Sequence, residues 1–241
     1  MKLSTCAFAL LACLPFAAVQ AQDSSPSTAN STTAAKRTDI YHVFIAKAAP
    51  GKAKEMENWL KEPDPKNPNA KNIVLRHEEG DSWDFVAIEY IGKSAKVEVG
   101  EPNTMTPQQR SLVEWHGDTF VSGPPWAEFA KQMGLNGGAA KSADSVYLVS
   151  DYRAVPGERD ALEKALNTPP QGDTASGTVL LAHVEGAPWN FLAITRYDSW
   201  DKVAESEKSS MAQTKKGEGG WFELRQSCAQ HHDTLTDRVS P

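Results

Sequence analysis

The sequence has few cysteines, no excess of basic residues and only one long apolar run, which lies at its start. Its 241 residues carry a formal charge of −6, so no basic stripe is available for phosphate neutralisation and nucleic acid is not an expected partner. No segment beyond the first 21 residues approaches the roughly 18 apolar residues that a membrane-spanning helix needs. Nucleotide-loop, serine-hydrolase and zinc-protease motifs are absent, as is zinc-type Cys/His spacing, so the sequence predicts no metal site.

Residues 1–21 have the pattern of a signal peptide. Lys2 supplies a positive start, an apolar run follows, and the run ends in Val19-Gln20-Ala21 with short residues at the cleavage positions. The pattern predicts a periplasmic or secreted protein without a transmembrane segment after cleavage. The segment that ends at Cys13 resembles a lipoprotein box, and lipid anchoring at Cys13 is the minor alternative.

The exported chain would keep Cys228 as its single cysteine and a charge of −7, since Lys2 is removed without any acid. One cysteine cannot form an internal disulfide, so the fold must rest on its hydrophobic core. Cys228 is expected to be a small buried residue. Residues 22–38 are rich in Ser, Thr and Ala and predict a flexible tether.

An internal repeat with a period of 106 residues is the most informative feature. Comparison of residues 41–90 with residues 147–196 gives 16 identical pairs in 50 positions without a gap. Chance would give about 3, so the repeat indicates duplicated structural units. The identities include Tyr41/Tyr147, Gly80/Gly186, Trp83/Trp189 and Phe85/Phe191. We therefore divide the chain into repeat one, residues 39–137, and repeat two, residues 138–241.

Each repeat predicts the order β-α-β-β-α-β of a ferredoxin-like unit. A β-rich stretch is followed by Pro-Gly at the start of a helix, then by a hairpin, a second helical region and a closing strand. The helical regions are predicted from Thr106 to about Trp115, from Ser199 to Met211 and from Trp221 to about Gln230. The closing strands are predicted at Asp118–Ser122 and Asp233–Val239, and a small helix at Trp126–Met133.

Two such units in tandem resemble the dimeric α/β-barrel superfamily. The resemblance rests on the openings at Pro50-Gly51 and Pro156-Gly157 and on the hairpins that follow them. It implies an α+β fold in which two tandem ferredoxin-like repeats form an intramolecular pseudo-dimeric α/β barrel around a cavity. The superfamily includes monooxygenase-like, stress-responsive and chlorite-dismutase-like haem proteins. Because these proteins have different activities, the resemblance does not indicate which activity this chain has, and the cofactor is unknown.

His77 and His183 are the candidate catalytic residues, because both repeats carry them at matched positions before the hairpin turn. A three-residue turn would place them opposite Phe85 and Phe191 on one sheet face. If that face lines the cavity, the imidazoles suit acid–base chemistry or metal ligation. Otherwise they are hydrogen-bonded structural residues, which is the interpretation that we favour.

The candidate ligand-binding residues also form repeat pairs. Trp83 and Trp189, with the phenylalanines that follow them, would supply an aromatic wall, although such residues are usually core. Arg110 and Arg225 would clamp an anionic ligand or remain solvated. His116 and His231 are expected at the ends of helices, where the macrodipole favours them. We interpret them as structural.

Three functions follow from this sequence. The first is an exported protein that binds a small apolar or aromatic molecule in the cavity or interacts with a partner. The second is a cofactor-independent, monooxygenase-like enzyme with His77 and His183 as acid and base. The third is a haem- or metal-binding barrel. Catalysis is uncertain, and oligomer formation is compatible with each function.

Overall fold

The structure is a computed structural model, and it describes residues 36–63, 69–96, 105–135 and 144–240. Residues 1–21 and 22–35 lie outside this part, so the signal peptide and most of the tether remain predictions. No helix in the described ranges is both long and apolar enough to cross a bilayer.

Eight antiparallel strands form one closed barrel. They are β1 (Asp39–Ala48), β2 (Asn72–Glu79), β3 (Phe85–Lys93), β4 (Val113–Gly123), β5 (Val146–Ala154), β6 (Gly177–Glu185), β7 (Phe191–Tyr197) and β8 (Cys228–Ser240). Around the barrel the order is β4-β1-β3-β2 and then β8-β5-β7-β6, after which β6 pairs with β4. The strand order is therefore the same in both halves of the chain.

Six α-helices accompany the barrel in the described part of the chain. They are α1 (Ala53–Lys61), α2 (Pro107–Arg110), α3 (Trp126–Gln132), α4 (Arg159–Leu166), α5 (Trp200–Lys215) and α6 (Gly220–Ser227). A single 3₁₀ turn follows β3 at Ser94–Lys96. Pro50-Gly51 and Pro156-Gly157 lie in the turns before α1 and α4 rather than inside the helices. The α+β barrel expected from the sequence is confirmed at this level.

The barrel interior is filled by side chains. Alternate residues of each strand point inward. Together with residues of α3 and its C-terminal end and of the hairpin turns, the inward residues of seven strands form one cluster of 17 buried residues. The cluster includes Val43, Leu75, Tyr147, Leu181 and Ile194. The expectation of an open cavity between the sheets is therefore not met within the described residues, because large aliphatic and aromatic side chains occupy that space.

One end of the barrel is closed by α3, which the sequence predicted as a helix without a role. Phe129 is fully buried and stacks on Tyr41 with ring centroids 5.0 Å apart. Tyr41 donates its hydroxyl hydrogen to the Pro124 carbonyl at 2.6 Å, and Tyr147 donates to the Met133 carbonyl at 3.0 Å. Two tyrosines from matched positions thus hold the chain before and after α3.

The opposite end carries the two hairpin turns, which fold onto strands of the other half. Gly80 and Gly186 have positive φ angles of 134° and 103°. A Cβ atom would come within 2.3 Å of the Asp233 carbonyl oxygen at Gly80, and of the Asp118 carbonyl oxygen at Gly186. Only glycine fits such close backbone approach, which explains this identical pair of the repeat.

The second helical region of repeat one is much shorter than predicted. Thr106 and Gln109 form the expected capping box, but α2 ends at Arg110 and β4 already begins at Val113. Trp115 and His116 belong to β4, because their backbone pairs with Lys47 and Ala46 of β1. In repeat two, α6 ends at Ser227, and Cys228 is the buried first residue of β8. The prediction that His116 and His231 end helices is therefore wrong.

Candidate functional site

Two His-x-Asp pairs lie on the outer face of the barrel, one on β4 and one on β8. His116 and Asp118 project to one side of β4, and His231 and Asp233 to the same side of β8, because alternate strand residues share a face. The Nε2 atom of His116 lies 3.2 Å from Asp118 Oδ2, and that of His231 lies 3.5 Å from Asp233 Oδ2. Each pair joins an imidazole, which can transfer protons, to a carboxylate.

The pair on β8 is accompanied by a tyrosine. Tyr152 of β5 lies directly opposite His231, and the two rings stack 5.8 Å apart with an interplanar angle of 15°. Burial, followed by the charge of Asp233, raises the pKa of Tyr152 well above its ordinary value of 10.0. The phenol therefore stays neutral and can donate a hydrogen bond throughout the physiological range.

His231 contains a buried nitrogen that has no hydrogen-bond partner among the described residues, its Nδ1 atom. A buried polar atom left unpaired costs about 1–3 kcal/mol, so such atoms are rare in native proteins. Asp233 Oδ2 lies 3.5 Å from the Nε2 atom of the same ring, and an Nε2–H that faces this carboxylate leaves Nδ1 as a hydrogen-bond acceptor. The site thus combines an unused acceptor with a carboxylate beside the other ring nitrogen.

Apolar side chains surround this site on the helical side. Tyr152 packs against a cluster that contains Leu162 of α4, Leu224 of α6 and Cys228. Burial raises the pKa of the Cys228 thiol, and its Sγ atom donates to the Gln230 carbonyl at 3.2 Å. Cys228 is therefore an inert packing residue, as the sequence predicted.

The pair on β4 has different partners. His42 of β1 approaches the same carboxylate, with its Nε2 atom 2.8 Å from Asp118 Oδ1, so two imidazoles share Asp118. His116 packs against Phe44 at 5.4 Å, and Phe120 beside His42 is 41% exposed. The two His-x-Asp pairs are similarly exposed, so they differ in their neighbours rather than in their access to solvent.

The sequence-predicted histidines lie on the inner face, at the hairpin end of the barrel. His77 and His183 continue the inward rows of β2 and β6. Each ring meets the tryptophan in the turn of its own hairpin edge to face: His77 with Trp83 at 5.9 Å, and His183 with Trp189 at 5.6 Å. The Nε2 atom of His183 accepts a hydrogen bond from the Ala187 amide at 3.0 Å. The Nε2 atom of His77 is buried without a partner among the described residues.

The phenylalanines do not share that face. The hairpin registers pair Arg76 with Phe85 and Ala182 with Phe191, so the predicted pairing of His77 and His183 with them is off by one residue. One residue of register changes the face of every side chain. Phe85 packs outside with Met56 of α1, and Phe191 lies in the outer cluster under α4.

The remaining predicted ligand-binding residues do not join one site. Trp83 and Trp189 are buried in the barrel core, whereas Arg110 and Arg225 are exposed in α2 and α6. His231 is not among the residues that the sequence singles out for function, although its match with His116 in the repeat is visible there. Tyr152 has no counterpart in repeat one, where Ala46 occupies the matched position, so the repeat could not reveal it.

An open cleft elsewhere on the barrel has an acidic lining that includes Glu78, Asp144, Asp201 and Asp237, beside Trp200. Arg76 neutralises part of it through a 2.7 Å ion pair with Asp237. Neither partnerless buried nitrogen named above lies in this lining. We therefore place the candidate site at His231.

Comparison with known proteins supports the fold. No family model matches the chain, and no curated protein matches it by sequence. Among solved structures, an anthrone oxidase-like protein is similar, with a TM-score of 0.54 and 13% identity over 85% of this chain and 92% of that chain. A putative chlorite dismutase aligns with a TM-score of 0.44 and 10% identity over 84% of this chain and 96% of that chain. The similarity to the anthrone oxidase-like protein shows that the two chains share their fold.

Proposed function

We propose that this chain is an exported small-molecule-binding protein whose ligand contacts His231 and Tyr152 on the outer face of β5 and β8. The observation that carries the proposal is the buried Nδ1 atom of His231, which has no partner among the described residues. A ligand that donates a hydrogen bond to this atom would recover the free energy that the unpaired nitrogen costs.

The surroundings define the chemistry of the ligand. The stacked rings of His231 and Tyr152, with the apolar cluster beneath α4 and α6, favour an apolar or aromatic body. The unpaired nitrogen favours a hydroxyl group on that body. A phenol or an enol combines both properties, so we propose an aromatic or polycyclic hydroxyl compound as the ligand class.

Acid–base catalysis is the second candidate function. Asp233 lies 3.5 Å from His231 Nε2 and would stabilise the imidazolium formed when Nδ1 takes a proton from a phenol or enol. Our earlier candidates fit this role less well, because the Ala187 amide already occupies Nε2 of His183. The Nε2 atom of His77 has no partner in the part of the chain that the structure describes, but it lies against the filled barrel interior.

We further propose that the two halves arose by tandem duplication. The 16 identical pairs support this origin, and so does the identical strand order in the two halves. The starts of β3 and β7, Phe85 and Phe191, are separated by the same 106 residues. Export rests on the pattern of residues 1–21 alone.

The test compares two ligands that differ by one hydroxyl group, 1-naphthol and naphthalene, in thermal-shift measurements on the full chain. At 100 times its dissociation constant a ligand adds about 2.7 kcal/mol of apparent stability. That stabilisation corresponds to roughly 5–10 °C in melting temperature for a chain of this size. We expect 1-naphthol to raise the melting temperature clearly more than naphthalene does.

Two variants show which histidine is responsible. His231→Phe keeps an aromatic ring against Tyr152 but removes Nδ1, so the difference between the two ligands should disappear. His116→Phe makes the same change at the matched position of the first half and should behave as wild type. Equal shifts from both ligands in the wild type, or an undiminished difference in His231→Phe, would refute the proposal.

A further inference from the structure

Three potential metal ligands meet at the hairpin end of the barrel. Asp151 of β5 and His232 of β8 are direct cross-strand partners on the inner face. The turn between β2 and β3 folds over β8, where the Asp81 amide donates to the Thr234 hydroxyl at 3.2 Å, and this contact brings Asp81 to the pair. One donor atom from each of the three side chains lies within 4.8 Å of the others.

The distances suit a small divalent ion. His232 Nδ1 lies 3.3 Å from Asp151 Oδ2. Two donors bound to zinc at bonds of roughly 2.0–2.1 Å in a tetrahedron are separated by about 3.3 Å. The other ring nitrogen, Nε2, lies 3.0 Å from the Gln230 side-chain amide nitrogen. With the amide turned by 180°, its oxygen would accept from Nε2–H and hold a ligating imidazole in place.

The charges around Asp151 are unbalanced. Two carboxylates, those of Asp81 and Asp151, face one imidazole, that of His232. The cluster therefore contains more carboxylate than its one imidazole can compensate. A bound cation would supply the missing positive charge.

The two halves of the chain differ at all three positions together. The cross-strand pair that matches Asp151 and His232 is Ile45 and Gly117 of β1 and β4. The turn residue that matches Asp81 is Ala187. None of these three side chains can bind a metal, whereas all three of their counterparts can. Asp81 comes from the first half and Asp151 and His232 from the second, so the three donors meet where the β2–β3 turn of one half folds onto the other half.

We propose that Asp81, Asp151 and His232 bind one divalent first-row transition-metal ion at this end of the barrel. One imidazole and two carboxylates match the preferences of zinc and of manganese, with zinc bound more tightly. His232 is 48% exposed, so the site has access to solvent. Three protein donors leave at least one coordination position open for water or a ligand.

The experiment is equilibrium dialysis of the tag-free, chelator-treated full chain against Zn²⁺, with metal content measured by mass spectrometry. We expect one tightly bound equivalent in the wild type. Asp151→Asn and His232→Gln should each weaken binding at least about tenfold, since even outer-shell changes cost that much. Cobalt provides a second readout, because its visible absorption bands report donor number and geometry and should be lost in the same variants.

His42→Gln is the matched control, because it alters a histidine–aspartate pair outside the cluster and should leave Zn²⁺ binding unchanged. Asp81→Asn tests the turn ligand with a substitution that keeps the oxygen accepting from the Ser82 amide. Circular dichroism establishes that each variant is folded. Failure of the wild type to bind Zn²⁺, or one equivalent that survives both Asp151→Asn and His232→Gln, would overturn the proposal.

Discussion

The outer faces of the two halves carry the same His-x-Asp pair in different surroundings. In the first half Asp118 is shared by two imidazoles, those of His42 and His116. In the second half Asp233 pairs with one imidazole among the described residues, that of His231. Tyr152 stacks on this ring, and its Nδ1 atom has no partner within the described residues. A repeated pair therefore does not imply a repeated function, because its neighbours decide which atoms stay available.

The inner faces of the two halves also carry different side chains at matched positions. The second half places Asp151 and His232 where the first half has Ile45 and Gly117. The polar chemistry of the described residues is thus concentrated around β5 and β8, on both faces of the sheet. The first half supplies α3 and its apolar contacts to the barrel core instead. The proposed ligand and metal sites both use β5 and β8, and the metal site adds Asp81 from a turn of the first half.

The largest effect should come from the hairpin glycine that packs on the other half. Gly186→Ala places a Cβ atom 2.3 Å from the Asp118 carbonyl and forces a positive φ on alanine. The strain and the clash together should lower the free energy of unfolding by about 3 kcal/mol in urea denaturation. Gly157→Ala has a similar φ of 88° but open space around it, and should cost about 1 kcal/mol. Equal losses in the two variants would contradict the close contact.

A smaller difference should separate the two inner histidines. His183→Ala removes the acceptor of the Ala187 amide, whereas the Nε2 atom of His77 has no partner to lose among the described residues. Both variants lose a contact with a tryptophan. We expect His183→Ala to be more destabilising than His77→Ala by about 1 kcal/mol in urea denaturation. If His77→Ala were the more damaging change, His77 would have a structural partner that this account lacks.

The smallest effects should come from the tyrosines that hold α3. Tyr41→Phe and Tyr147→Phe each remove one buried hydrogen bond and leave a carbonyl oxygen unpaired. Each should cost about 1 kcal/mol of unfolding free energy while ligand binding at His231 is unchanged. Calorimetry with and without 1-naphthol measures both quantities. A loss of binding in either variant would mean that the α3 end and the His231 site are coupled.

The sequence predicted the barrel because its strongest signals were local and repeated. The period of 106 residues, the Pro-Gly turns and the hairpins marked four strands in each half, and the structure has these strands in one closed sheet. The residue opposite His77 was not predictable, because it depends on whether the hairpin turn contains an odd or an even number of residues. Phe85 packs under α1 with Met56, and this contact between distant segments determines which face of the sheet Phe85 occupies.

The candidate site was hidden for a different reason. The stretch from Glu114 to His116 follows a true capping box, so its sequence predicts the end of a helix, with the closing strand beginning only at Asp118. Pairing with β1 makes it a strand, and only then do His116 and Asp118 share a face. Tyr152 joins His231 through cross-strand pairing of β5 with β8, which no pattern within either segment reveals.

The central claim is that Nδ1 of His231 accepts a hydrogen bond from the ligand, and nitrogen NMR of the histidine rings tests it most directly. The full chain, labelled with nitrogen-15 at histidine, is recorded with and without 1-naphthol, and His231→Phe assigns the signal. We predict that the His231 Nδ1 resonance moves on addition of 1-naphthol while the ring nitrogens of His116 stay unchanged. Binding of 1-naphthol that leaves His231 Nδ1 unmoved, or that moves His116 instead, would contradict the account.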